Sequence, residues 1–149
     1  MVTTTGFGGL EGRGRVSHKG GSGEIVLDFT KLPIFDVSYV GVVDDAAFER
    51  YLRDLVAVLD ARAPYALLAD ASRSGPPSAK QRRLQADCIR DYEAGFARYC
   101  RGAAFVIDAP LIRGALTAIL WTQRLPYEHV VVPTRADALA WIEPRLVRH

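Results

Sequence analysis

Three short stretches of the chain hold most of the side chains whose types and spacing suit chemistry. "LLADASRSGPPS" carries Asp70, Ser72, Arg73, Ser74 and Ser78, "FVIDAPLIRG" carries Asp108 and Arg113, and "HVVVPT" carries His129, Pro133 and Thr134. Serines set among aspartate and arginine suit phosphorylation or contact with an anion. An aspartate serves as acid or base only beside a group of complementary pKa, and the sequence places none next to Asp70 or Asp108. Of the three histidines, His18 falls near the start and His149 is the last residue, so a serine or cysteine triad would have to rest on His129 alone. Its expected role is structural. The sequence has no His/Cys cluster, no HExxH, no Walker lysine followed by Ser or Thr, and no G-x-G-x-x-G between a strand and a helix. We therefore expect no catalytic residue, no metal and no cofactor.

The elements that must position these residues follow from hydrophobic period. "EIVLDF" (24 to 29) and "IFDVSYV" (34 to 40) read as strands, the second alternating Phe35, Val37 and Tyr39 against Asp36 and Ser38, and "TKLP" is short enough to join them as an antiparallel hairpin. From Asp44 the period becomes helical, with Phe48, Leu52, Leu55, Val56 and Leu59 on one stripe, Asp44 as N-cap and Val43 with Phe48 as a hydrophobic staple. "YALLAD" (65 to 70) reads as a buried strand and "ASRSGPP" as a loop. A helix is expected over 79 to 99, its apolar side formed by Leu84, Cys88, Tyr92, Phe96 and Tyr99, with Ser78 and Gln81 as a capping box. Then come a strand "AAFVID", a helix over 110 to 121 with Asp108 as its expected cap, a strand "HVVVP" (129 to 133), and a last helix capped by Thr134 that Pro144 should end or kink. This order predicts one α/β domain over residues 24 to 149. Its mixed, mainly parallel sheet has about five strands, an N-terminal antiparallel hairpin and about four helices.

Residues 1 to 23 contain eight glycines and show no strand or helix period, so a flexible tail is expected there. They hold three basic residues against one acidic, which accounts for the whole formal charge of +2 and leaves the rest balanced. A balanced body lacks the electrostatic footprint of a nucleic-acid binder. No secretory h-region and no apolar run long enough to span a bilayer is present, so a cytoplasmic protein without a membrane span is expected. Cys88 and Cys100, twelve residues apart on or at the end of one expected helix, would lie roughly 18 Å apart, too far for a disulfide. Cys88 reads as a small buried hydrophobe.

The stretches "LPIFDVSYVG", "LLADASRSG", "QRRLQA", "GAAFVIDAPLIRGALTAILW" and "ADALAWI", spanning about residues 24 to 146 in this order, resemble the SpoIIAA-like (STAS/SEC14-like) group of the STAS domain, the fold of bacterial anti-sigma-factor antagonists. The resemblance implies an α/β domain used for binding and regulation. Anti-sigma-factor antagonists present a switchable serine in an Asp-Ser-Ser-Gly-like turn after the central strand. The nearest equivalents here are Ser74, followed by Gly75, and Ser78, but the aspartate before the serine is absent. On the residues alone, Ser78 is accounted for as a helix cap; a phosphate there would lie on the helix dipole near Lys80, Arg82 and Arg83.

The helix at 110 to 121 is apolar around nearly its whole circumference, with only Arg113, Thr117 and Arg124 as a polar stripe. Such a helix needs cover on both sides. Neighbouring helices, a twin subunit or a bound apolar ligand would each supply it. A homodimer would use Leu111, Ile112, Leu116, Ile119, Leu120 and Trp121. The expected role is a non-catalytic STAS-like regulatory or interaction domain, meeting its partner or ligand through Asp70, Ser72, Arg73, Ser74, Asp108 and Arg113. The alternative is a carrier or sensor of a small apolar or lipid-like ligand held between the sheet and that helix, with Arg113 facing any acidic head group.

Overall fold

The computed structural model describes residues 7–147. The first six residues of the expected tail, and His149, lie outside the described residues. The remainder of that segment corrects the expectation. Arg15–Gly20 forms a strand, β1, paired antiparallel with β2 (Gly23–Asp28), and a short 3-10 turn, Leu10–Arg13, precedes it. The glycines here are turn residues: Gly21 has φ +63°, and a side chain on Gly23 would place its Cβ 2.2 Å from the Val40 carbonyl oxygen. Phe7 is buried, and Arg13 and His18 both reach the carboxylate of Asp54, at 2.9 and 2.6 Å. The surplus positive charge of this segment thus sits partly on a sheet edge.

The expected hairpin forms between β2 and β3 (Ile34–Gly41). Parallel strands follow: β4 (Tyr65–Ser74) beside β3, β5 (Cys100–Val106) beside β4, and β6 (His129–Val132) beside β5. The order in the sheet is the order in the chain. The connecting helices are α1 (Asp45–Ala57), α2 (Ala79–Asp91) with α3 (Glu93–Tyr99), and α4 (Pro110–Thr122), and α5 (Arg135–Val147) follows the last strand. Right-handed crossovers that always step in one direction place every connecting helix on one face. Only α5 remains for the other.

Residue alternation makes the two faces different. Ile25, Leu27, Phe35, Val37, Leu67 and Ala69 point into the main core beneath α1 and α2. Leu68, Ala66, Ala104 and Val106 meet Ala138 and Ile142 of α5 in a smaller core. Because α5 packs on β4, β5 and β6, the same face of β1, β2 and β3 stays open.

Several local expectations are corrected. Ser72, Arg73 and Ser74 continue β4, past a register shift opposite Ser38 and Val40, instead of opening a loop. The helix expected over 79 to 99 breaks at Tyr92, whose side chain is 49% exposed. Asp44, Ser78 and Thr134 cap as expected. Gln81 does not close a box on Ser78: its amide donates to the Val43 carbonyl at 3.0 Å and to Asp45 Oδ1 at 3.1 Å, tying α2 to the start of α1. Asp108 does not cap α4, whose N-cap is Ala109 with no side-chain bond; Pro110 at the first position has no N–H and needs no acceptor. Helix α5 continues through Pro144 to Val147. Among the described residues no helix is long and apolar enough to cross a membrane.

Candidate functional site

On the helix-rich face, α4 packs against α2, and a cavity of about 140 Å³ lies between these helices and the sheet. Ile112, Ala115, Leu116 and Ile119 recur at helical spacing on the inner side of α4 and close it, opposite Leu67, Phe105 and Ile89. Leu111 and Trp121 fall on the outer side, 67% and 85% exposed. The helix that looked apolar all round therefore covers a cavity with one side and meets solvent with the other. The residues expected at a dimer interface divide accordingly, and Ile112, at 7% exposure, belongs to the inside.

A few polar groups interrupt the apolar lining. Tyr51 donates to Gln85 Oε1 at 3.2 Å, and the Tyr39 and Tyr51 hydroxyls lie 2.6 Å apart. Gln85 Oε1 can only accept, so the Tyr51 proton points there and Tyr39 donates to Tyr51. The Tyr127 hydroxyl has no hydrogen-bond partner among the described residues. Burial, only partly offset by the bond to Tyr51, pushes Tyr39 up to about 12. Burial drives Tyr51 and Tyr127 well above the ordinary phenol range, with the neighbouring Tyr39 adding to it. These hydroxyls are neutral at any physiological pH and offer hydrogen bonds without charge. Arg82 lines the mouth, with one guanidinium nitrogen on the Pro77 carbonyl at 2.9 Å. Burial raises the Cys88 thiol to about 11 and the Cys100 thiol to about 12, so neither is a ready nucleophile.

On the opposite face, the open strands and the start of α5 form a polar groove of about 290 Å³. Its anchor is Arg135, which bridges two strands: one guanidinium nitrogen donates to Asp70 Oδ2 at 3.0 Å and the other to Asp36 Oδ2. Lys31 also reaches Asp36 Oδ2, at 3.3 Å. Asp36 is only 5% exposed, so the two cations are what make a carboxylate there tolerable. Burial alone would raise Asp70, but hydrogen bonds from the Ser72 hydroxyl and N–H and from Arg135 outweigh it and hold its carboxyl below the usual range. Asp28 behaves likewise: burial raises it, and the Thr30 hydroxyl and N–H together with Lys31 and Arg15 bring it down.

The residues expected to share one cleft are divided between these two places. Asp70, with Ser72 bonded to it, belongs to the polar groove's rim, whereas Ser74 lines the apolar cavity and donates to the Gly75 carbonyl at 2.6 Å. Arg73 is exposed. Asp108 is exposed, and Arg113 turns back to the Ile107 carbonyl at 3.5 Å without lining either space. Arg82 is the cation at the cavity. Sequence reasoning missed Asp36 and Arg135. The one available signal was the buried alternation of "IFDVSYV", which put Asp36 and Ser38 on the face opposite Phe35 and Val37.

No protein-family model matches the sequence, and no curated protein does. Solved structures do resemble the fold. An uncharacterised protein of the DUF3478 family with a SpoIIAA-like fold, from Shewanella loihica PV-4, superposes with a TM-score of 0.53 over 86% of this chain and 91% of its own, at 15% identity. An anti-sigma factor antagonist from Mycobacterium paratuberculosis superposes with a TM-score of 0.53 over 81% of this chain and 94% of its own, at 20% identity. The chain has a SpoIIAA-like, STAS-type fold.

Proposed function

We propose that this chain is a STAS-type binding domain of regulatory rather than catalytic character, which holds a small apolar molecule beneath α4. The observation that carries this is the cavity of about 140 Å³, closed by Ile112, Leu116 and Ile119 and nearly free of charge. A dry apolar cavity of that size accepts a ligand on the order of a benzene ring. One neutral polar group on the ligand would meet the Tyr127 hydroxyl. Arg82, not Arg113, would face an acidic end at the mouth. Tyrosines held protonated support binding over chemistry at this site. Toluene, a single-ring apolar probe of that size, is expected to bind the wild-type chain saturably, read from amide NMR shifts around α4, and to be excluded by Ala115→Phe, which fills the space from α4. No binding, or equal binding to both forms, contradicts the assignment.

A second role, self-association or partner docking through the outer side of α4, is favoured by the exposure of Leu111 and Trp121. Trp121→Glu should then convert a dimer to a monomer with the melting temperature nearly unchanged. A wild-type chain that is monomeric at high concentration removes the homodimer.

A further inference from the structure

Among the described residues, Arg82 is the charged side chain on the lining of the cavity beneath α4, and it has no counter-ion there. Its Nη1 donates to the Pro77 carbonyl at 2.9 Å, which anchors the guanidinium at the mouth. Its other N–H groups meet no acceptor among the described residues. Arg82 is half-buried, so these donors are partly withdrawn from water. Asp45, bonded to the Gln81 that also lines the cavity, does not neutralise it: the Gln81 amide holds Asp45 at 3.1 Å and Lys80 pairs with it at 3.4 Å. One helical turn beyond Arg82, Gln85 gives its Oε1 to Tyr51, and its amide N–H groups are uncommitted among the described residues. Residues three apart share a face of α2, so Arg82 and Gln85 both border the same space.

These donors constrain the polar end of a ligand. A half-buried guanidinium without a counter-ion favours an anion, and a planar carboxylate fits its N–H fork. One cation on an otherwise uncharged lining balances one negative charge; a phosphate dianion would leave its second charge beside apolar walls. The Gln85 amide supplies another donor to the same carboxylate. Length constrains the apolar end. Arg82 and Ile89 both line the cavity, and the seven residues of α2 between them rise about 10 Å, the extent of a phenyl ring with a one-carbon arm and its carboxylate. Granted that the cavity takes up an apolar group, on which this assignment depends, we propose that its ligand is a small arylalkanoate. The carboxylate meets Arg82 and Gln85, and the single ring lies among Leu67, Ile89 and Leu116.

The test is a titration of the full chain, isotope-labelled for amide NMR, with three probes: phenylacetate, phenylacetamide, which keeps the shape without the charge, and toluene, which has no polar arm. Phenylacetate is expected to shift amides of α2 and α4 saturably and to bind about tenfold more tightly than phenylacetamide. Ala115→Phe should exclude both. In Arg82→Gln the affinities of phenylacetate and phenylacetamide should become equal. Absence of saturable shifts with phenylacetate, equal affinity of the two probes for the wild-type chain, an unchanged preference in Arg82→Gln, or phenylacetate binding that survives Ala115→Phe overturns the assignment. The comparison on the wild-type chain decides it even where a variant fails to fold. Toluene separates the two readings: toluene uptake without a preference for phenylacetate removes the carboxylate alone, whereas absence of toluene binding overturns the cavity reading and this assignment with it.

Discussion

The two faces of this sheet solve the same problem in opposite ways. On one, three crossover connections supply α1, α2 with α3, and α4, so apolar strand positions are covered and a cavity is left where α4 meets α2. On the other, a single helix covers β4 to β6, and the uncovered strands carry charge fixed by ion pairs. The difference follows from topology: strands in sequential order send every right-handed crossover to the same side. A one-sided fold therefore offers an apolar space and a polar one, back to back.

Substitutions on the two faces should separate in size. The largest effect is expected from Phe35→Ala in the main core, where a fully buried ring packs on Phe29 and Tyr65; urea unfolding should report a loss of about 4 kcal/mol. Arg135→Met leaves buried Asp36 with Lys31 alone. Removing one partner of a buried pair can cost more, but Arg135 is 40% exposed, so a loss of about 2 kcal/mol is expected in the same assay. A loss as large as that of Phe35→Ala would mean that the polar face carries more of the stability than its burial suggests.

Acid should strike the polar face first. Asp28 and Asp70 both titrate below their ordinary range in the folded chain. Their contribution is thus fully present above the unfolded carboxylate value of about 3.9 and is lost as pH falls below it toward the lowered folded values. Melting temperature should be insensitive to these groups between pH 5 and 7, taken as rough bounds, and fall below about pH 4. In Asp70→Asn the acid limb should be shallower, and an identical limb in that variant would exclude the Arg135 bridge as its source. The smallest effect belongs to the cavity wall. Leu116 is only half-buried, so Leu116→Ala is expected to cost about 1 kcal/mol, below the roughly 2–5 kcal/mol of a fully buried leucine and well under Phe35→Ala.

The same asymmetry decides how much was legible in the sequence. Alternation over 24 to 40, the helical stripe after Asp44 and the apolar strands revealed the covered face and the α/β order, because period and burial are local signals. Strand β1 was hidden because Gly20, Gly21 and Gly23 look like flexibility in sequence, yet here they make a tight turn and a close strand approach. The apolar girth of α4 was visible, but which side was inward depended on α2. The Asp36–Arg135 bridge joins residues 99 apart, and no spacing rule connects them. The cluster of Asp70, Ser72, Arg73 and Ser74 was seen as one site, although successive residues of an extended strand point to opposite faces. Alternation alone would leave Asp70 and Ser74, four residues apart, on one face; the extra β4 residue at the register shift between Ser38 and Val40 turns Ser74 to the cavity while Asp70 stays at the polar groove.

Native mass spectrometry of the freshly purified chain beside its Ala115→Phe variant tests the central claim most directly. A small bound mass on the wild-type protein, retained on gentle desolvation and missing from the variant, is the predicted result. A wild-type chain that carries no extra mass and takes up none when toluene is supplied would show that the space beneath α4 is a packing defect and not a binding site.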